Sequence, residues 1–294
     1  MLVDIGVPLE LGAVEVEPRL SFSEPMRETP HGRQFNHRQL LLDDRPAFEL
    51  SFWCGTCSFL FERLEGANEK LSLETQQDRL NRGLAAIDQE ALNAFGVLLP
   101  RGEYVPLLLR LEPRLVYPGD RDDYFSHEQL DTWRVDGFWG LPNYPRTPYY
   151  RSLETSVTGG TSRVGESTDA QLYEFAVPMV PPSWNDPARV AHYAQALEQP
   201  TPPTAVAISL LDICQPAMLQ GPEENYYAHW CLTHFLLDGH HKLQAAAEAG
   251  LPVQLLAIVS IDNSLAPRES IDRLKAITSQ QYSPWPQKKG DPPE

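Results

Sequence analysis

The sequence contains no apolar run that approaches the roughly 20 residues a helix needs to cross a bilayer. Its first 18 residues also lack the basic start and long apolar stretch of a secretory signal, and Asp4 and Glu10 stand there instead. Basic residues are few: 24 Lys and Arg stand against 40 Asp and Glu, a formal net charge of −16. Non-specific nucleic-acid binding depends on Lys and Arg contacts to phosphates. We therefore predict a soluble, cytoplasmic protein with no membrane partner and no affinity for generic duplex DNA.

Cysteine is scarce as well, with four residues in a chain of 294, so a disulfide scaffold is excluded. The sequence also lacks an internal repeat, a phosphate-binding Gly-x-x-x-x-Gly-Lys-Ser loop, a Gly-x-Gly-x-x-Gly fingerprint, a Gly-x-Ser-x-Gly elbow and a His-Glu-x-x-His motif. The common nucleotide, hydrolase and metalloprotease signatures therefore do not apply to this chain.

Proline, by contrast, is abundant at 27 residues, which predicts frequent turns and few long helices. Residues 67–94 are predicted to be helical, with a break near Asp88. From residue 166 onward, apolar strand patterns alternate with helical ones, among them a helix capped by Asp186 and a helix ended by Gly250. We predict an α+β fold with a mixed sheet. A turn-rich stretch, "TGGTSRVGEST", suggests two domains: residues 1–165, irregular with long loops, and residues 166–294.

The stretch "FLLDGHHKLQAAAEAG" concentrates polar groups at the end of an apolar strand. Glycine allows a tight turn there, and a helix that begins near the histidines would point its first free N–H groups out of the turn. Those groups and the helix dipole favour an anion, and the neighbouring side chains add donors. The predicted phosphate-binding residues are Gly239, His240, His241 and Lys242. In the alternative interpretation, Asp238 only caps the helix and the histidines are solvated.

The longer segment "LLDGHHKLQAAAEAGLPVQLLAIVSI" resembles the core motif of the ParB/sulfiredoxin-like superfamily, in the C-terminal part of the chain only. The matched positions are Asp238, Gly239, His241 and Lys242. The resemblance implies a ParB/sulfiredoxin-like domain whose turn binds the phosphates of a nucleotide or another phosphorylated small molecule, with Mg²⁺. It departs from the family at Lys242, where Arg is usual, and in lacking the reactive cysteine of sulfiredoxins.

The class of reaction that this resemblance implies is NTP-dependent phosphoryl transfer or nucleotide hydrolysis. The catalytic candidates are Asp238, which would position a metal ion or an acceptor, and His241 and Lys242, which would stabilise phosphate charge. The sequence identifies no general base.

A second motif, "FWCGTCSFLF", holds Cys54 and Cys57 in a predicted hairpin. Such a Cys-x-x-Cys turn aims two thiolates at one Zn²⁺ ion. The same spacing also occurs at thioredoxin-like active sites, and two buried structural thiols are the third possibility. Zinc needs further ligands, for which the candidates are His31, His37, Cys214, His229, Cys231 and His234.

These motifs leave an alternative function open. The protein would then be a non-catalytic protein-interaction module with a structural zinc site at Cys54 and Cys57. Its aromatic segment from Trp133 to Tyr150 would contact a protein partner, because Tyr, Trp and Arg are enriched at interfaces.

Overall fold

The computed structural model describes residues 2–28, 34–36, 38–50, 62–117, 120, 123, 148–152, 155–161, 167–214 and 228–274. Within these ranges the chain is an α+β protein, in which a large mixed sheet is covered by short helices. This is the fold class predicted from the sequence. None of the helices described is long and apolar enough to span a bilayer.

The main sheet contains ten of the described strands, numbered here in chain order. Eight of them run from one edge to the other in the order β1 (Leu2–Ile5), β9 (Gly102–Leu111), β16 (Val253–Ser260), β14 (Thr204–Cys214), β15 (Ala228–Asp238), β13 (Ser167–Val177), β11 (Tyr149–Arg151) and β10 (Arg114–Val116). In addition, β2 (Leu9–Leu11) pairs with β9, and β12 (Thr155–Thr161) pairs with β13. The pairs β13–β15 and β14–β16 are parallel and the other pairs are antiparallel, so the sheet is mixed.

Two smaller sheets come from the first part of the chain. One consists of β3 (Leu20–Ser23), β6 (Gln39–Leu42), β7 (Arg45–Glu49) and β8 (Glu62–Arg63), and the other of β4 (Met26–Glu28) and β5 (Gln34–Asn36). The helices in the described ranges are α1 (Glu74–Arg82), α2 (Gln89–Gly96), α3 (Pro187–Ala196), α4 (His240–Ala249) and α5 (Arg268–Asp272), with a 3₁₀ turn at Pro182–Trp184.

Local sequence signals placed several of these helix ends correctly. The predicted helix over 67–94 is two helices, α1 and α2, and Asp88 begins the second by accepting a hydrogen bond from Ala91 N at 2.9 Å. Asp186 begins α3 in the same way, with Ala188 N donating to its Oδ1 at 2.9 Å. Gly250 ends α4 with a φ of 62°, in the left-handed region that favours glycine. These three signals act over a few residues, which is why sequence alone reveals them.

The main sheet is buried on both faces. Along β16, Leu256 and Ile258 pack into one apolar cluster with side chains from α1, α2 and the four-stranded sheet. The alternate residues Leu255 and Ala257 pack into a second cluster with side chains from α3, α4 and α5. All eight residues of β16 are buried, which explains its nearly continuous apolar sequence.

The stretch predicted as a domain boundary connects neighbouring strands of one sheet. Residues 155–161 form β12 and residues 167–177 form β13, and the two strands are paired. The main sheet also takes strands from both sides of residue 165, since β9 is hydrogen-bonded to β16. The division of the chain into residues 1–165 and 166–294 therefore stays a prediction about folding units, and it does not coincide with an edge of the sheet.

Candidate functional site

The turn from Asp238 to Lys242 joins the end of β15 to α4. Gly239 occupies the junction with a φ of 94°, and a Cβ atom there would lie 2.8 Å from the Cα atom of Ala205. Only glycine therefore fits between the turn and β14. The helix begins at His240, as predicted, and its N-cap residue is Gly239, which makes no side-chain capping bond. The alternative in which Asp238 caps the helix and the histidines are solvated is thus wrong, because His240 and His241 are buried. Among the described residues, no side chain accepts a hydrogen bond from the first N–H groups of α4.

Asp238 and Lys242 form an ion pair that is almost fully buried. The Lys242 ammonium lies 3.1 Å from Asp238 Oδ2, with 1% and 4% of the two side chains exposed. The ammonium also donates to the carbonyl oxygen of Thr204 at 2.9 Å. Two of its three hydrogens are therefore engaged within the protein. Lys242 anchors α4 to β14, and its predicted role as a phosphate ligand rests on the one remaining hydrogen.

Both carboxylate oxygens of Asp238 have partners. Gln77 Nε2 donates to Oδ1 at 2.9 Å, and Lys242 approaches Oδ2. Burial raises the pKa of Asp238, but Lys242 and hydrogen bonds from Ser72 and Gln77 outweigh burial, so the pKa lies below its usual value. Asp238 is consequently an ionised carboxylate with a protein partner on each oxygen, and the metal ion or acceptor predicted there would have to share an oxygen that is already hydrogen-bonded.

His240 is a buried neutral ring. Its Nε2 accepts a hydrogen bond from the backbone N–H of Met179 at 3.1 Å, so its proton sits on Nδ1, which has no partner in the described part of the chain. Burial, and after it the charge of Lys70, lowers the pKa of His240 to about 3. The ring ties α4 to the segment that follows β13 through Nε2, which is an acceptor, so Nδ1 is the one ring nitrogen of His240 that can donate a hydrogen bond.

His241 lies closer to the opening and is also neutral at physiological pH. Its Nε2 accepts from the backbone N–H of Asp186 at 3.2 Å and lies 3.5 Å from Lys70 Nζ. Burial, followed by the charges of Lys70 and Arg189, lowers the pKa of His241 to about 4. The ring joins the start of α3 to the start of α4, and the cations of this region surround it.

Three segments enclose a cavity at this turn. The backbone N–H of Leu71 donates to the carbonyl oxygen of Leu237 at 3.0 Å and holds the segment before α1 against the end of β15. Helix α3 closes the opposite side through Asp186 and His241. The cavity measures about 300 Å³, within the lower range of small-molecule sites. It is lined by Lys70, Ser72, Glu74, Gln77, Arg189, Tyr193 and residues 238–242.

Two cations of this cavity were not found from the sequence. Lys70 is half-buried ahead of α1 and Arg189 is exposed on α3, and within the described ranges neither has a carboxylate within 4.0 Å. Burial lowers the pKa of Lys70 and the charge of Arg189 lowers it further, and together they outweigh the charges of Asp186 and Asp238, which raise it. Two like charges that face one cavity favour an anion between them. Their sequence separation is large and neither sits in a motif, so no sequence signal points to the pair.

Most residues of the predicted zinc site lie outside the described ranges. Cys54, Cys57, His31 and His37 lie outside the described residues, as does most of the aromatic segment from Trp133 to Tyr150. The side chains of Tyr149 and Tyr150, which are described, are buried in β11, so they are not accessible to a protein partner. Among the described residues there is no group of three or more His, Cys, Asp or Glu side chains that could hold a metal ion.

Two of the remaining zinc candidates occupy buried strand positions. Cys231 is a buried thiol on β15. His234 is hydrogen-bonded on both ring nitrogens, with Ser209 Oγ at 2.8 Å from Nδ1 and Glu174 Oε1 at 3.2 Å from Nε2. These contacts leave His234 no lone pair for zinc. Cys214 and His229 are paired across β14 and β15.

No family model matches the chain, and no curated protein and no solved structure matches it.

Proposed function

We propose that the protein binds a phosphorylated small molecule, a nucleotide in the first instance, in the cavity at the Asp238–Lys242 turn. The observation that carries the proposal is the pair Lys70 and Arg189, two cations without a carboxylate partner in the described ranges that line the cavity at the start of α4. A phosphate group matches such a site because it accepts hydrogen bonds from cations and from the N–H groups of a helix N-terminus.

The resemblance to the ParB/sulfiredoxin-like superfamily supports the same location. Strand β15, Gly239 and helix α4 follow each other in the order that the resemblance implies, and the cavity opens at that turn. The proposal includes a C-terminal ParB/sulfiredoxin-like core, built from the strands and helix around this turn.

The proposal concerns binding first and a reaction second. Phosphoryl transfer or hydrolysis is the reaction class that phosphate at this turn would imply, but the three residues predicted as catalytic are engaged with the protein. Asp238 and Lys242 neutralise each other, and His241 Nε2 accepts from Asp186. Their geometry supports a role in shaping the cavity and holding its elements together.

Calorimetry of the purified protein with a panel of nucleotides and sugar phosphates tests this proposal. Arg189→Gln is expected to weaken binding by about tenfold or more, because a charge-assisted hydrogen bond contributes roughly 1.5–3 kcal/mol. Arg82→Gln is the matched control, since Arg82 is also an exposed helical arginine but does not line the cavity. Equal affinity in wild type and Arg189→Gln would overturn the assignment.

The alternative function, a protein-interaction module with a structural zinc site, stays a prediction because Cys54 and Cys57 lie outside the described residues. If it holds, the purified protein should contain about one zinc ion per chain, and Cys54→Ser/Cys57→Ser should remove it. Elemental analysis of the two proteins decides this point.

A further inference from the structure

The cavity at the Asp238–Lys242 turn presents its buried carboxylate in a form that does not suit a metal ion. Asp238 accepts from Gln77 on one oxygen and contacts Lys242 on the other. A Mg²⁺ ion prefers six oxygen ligands at close to ideal octahedral geometry, and it commonly uses a carboxylate together with ligand phosphates. A Mg²⁺ ion at either oxygen would place a second positive charge beside the buried Lys242 ammonium, and at Oδ2 it would compete with that ammonium for its counter-charge. The residues therefore do not fit a metal ion at this carboxylate.

The same cavity supplies fixed positive charge where a metal ion would otherwise neutralise phosphate. Lys70 lies 3.5 Å from the ring of His241, and Arg189 is close enough to affect the pKa of both Lys70 and His241. An ammonium and a guanidinium complement phosphate oxygens in different ways, one as a point charge and the other as a planar fork. Together they can hold one phosphate group without an intervening ion.

Two exposed carboxylates also belong to this region. Glu74 lines the cavity from the first turn of α1, and Asp186 begins α3 next to His241. Asp186 is held by Ala188 N, which donates to its Oδ1. Glu74 is consequently the cavity carboxylate that distinguishes metal-bridged binding of a phosphate from direct binding. It would support a metal ion, but it would repel a phosphate that binds alone.

We infer that the cavity binds the terminal phosphate of its ligand directly on Lys70 and Arg189, with no divalent cation between ligand and protein. The inference rests on the proposed function and specifies its ligand class. The expected ligand is a phosphomonoester such as AMP or a sugar phosphate, whose dianion needs no metal ion, in preference to the magnesium complex of a triphosphate.

Calorimetric titration of AMP and of inorganic phosphate, in EDTA and again in excess Mg²⁺, tests the inference on the full chain. AMP is expected to bind in EDTA and to bind within about twofold as tightly in Mg²⁺. AMP binding that needs Mg²⁺ would overturn the inference and leave the proposed function standing. No binding of AMP, of inorganic phosphate or of the wider ligand panel in either buffer would overturn both.

The variant Glu74→Gln separates the two modes further. Direct binding predicts that removing this negative charge strengthens AMP binding, by roughly twofold to tenfold at low salt. A metal-bridged site predicts weaker binding of AMP in Mg²⁺ and no gain in EDTA, and that result would overturn the inference. Glu74 is exposed, so the variant is expected to fold, and Glu90→Gln on α2 provides a control at an exposed glutamate outside the cavity.

Discussion

At the scale of single residues, Asp238 and Lys242 were predicted from the sequence to bind a ligand. In the structure they form a buried ion pair that stabilises the fold. A buried ammonium requires a counter-charge, and Asp238 supplies it from the end of β15, four residues earlier in the chain. The carbonyl oxygen of Thr204 on β14 accepts a further hydrogen bond. Lys242 also lies 5.7 Å from the centre of the Tyr193 ring, so the side chain connects β14, β15, α3 and α4.

Lys242→Ala is therefore expected to lower the free energy of unfolding by about 3–5 kcal/mol, because it leaves the buried Asp238 without its counter-charge. The double variant Asp238→Asn/Lys242→Met removes both charges and should recover a large part of that loss. Arg101→Ala provides the exposed control, since Arg101 and its partner Glu10 are 67% and 76% exposed and their contact contributes about 0–1 kcal/mol. Urea unfolding of the four proteins compares these values. A loss in Lys242→Ala no larger than that in Arg101→Ala would contradict the structural role of the pair.

The two neutral histidines give the protein a stability that depends on pH. Folding lowers the pKa of His240 to about 3 and of His241 to about 4, from an ordinary value of 6.5. Below pH 6.5 the unfolded chain thus binds protons that the folded chain does not bind, so the free energy of unfolding falls as the pH falls. The loss begins near pH 6.5 and continues towards the folded pKa values, and it is fully absent above that range.

Urea unfolding at a series of pH values between about 7.5 and about 5, a window above the ordinary carboxylate titrations, measures this dependence. His240→Gln should flatten the curve, by up to about 1 kcal/mol per pH unit, because it removes one group that must stay neutral. His192→Gln, at an exposed position on α3, is the matched histidine variant for comparison. A wild-type curve that is flat across this window would show that the histidines are not held neutral.

At the scale of elements, the position of α4 depends on one glycine. Gly239 combines a left-handed backbone with contact to Ala205 on β14, so the helix begins against the sheet rather than above it. Small side chains on α4 allow the same close approach, since Ala245 and Ala246 are fully buried. The cavity depends on this placement, because α4 supplies one wall while α3 and the segment before α1 supply the others.

Gly239→Ala is expected to lower the free energy of unfolding by about 2 kcal/mol or more, because the new methyl group meets Ala205 and the backbone is left-handed. Gly250→Ala should cost only about 1 kcal/mol, since that position is left-handed but open, with nothing within 4 Å of the added atom. The double variant Gly239→Ala/Ala205→Gly should be more stable than Gly239→Ala alone. Equal losses at the two glycines, measured by chemical unfolding, would show that contact with β14 does not position the helix.

At the scale of the whole molecule, the net charge repels anions, whereas the two cations of the cavity attract them. The formal net charge of −16 repels polyanions over the surface as a whole. Under the proposed function, Lys70 and Arg189 form a local exception that would hold one phosphate group, whereas a duplex would need many such contacts. A ligand of this protein should therefore be small.

We accordingly expect no measurable binding of a labelled duplex DNA by fluorescence anisotropy, at about 10 µM protein and about 0.15 M salt. The same preparation should bind AMP. Micromolar duplex binding with a steep salt dependence would reverse the expectation, because each neutralised phosphate adds about 0.9 to the magnitude of the salt slope.

The sequence by itself determined the structural features that depend on residues adjacent in the chain. The α+β class follows from the alternation of strand and helix patterns. The start of α3, the two ends of α4 and the turn at Gly239 follow from patterns a few residues long, such as the cap at Asp186 and the glycine at Gly250. The tertiary structure decided which groups meet. It placed Lys70 and Arg189 at one cavity, and it engaged Lys242 with Asp238 and Thr204. The physical reason is that burial and charge at a site are set by segments far apart in the chain, whose relative positions no local pattern contains.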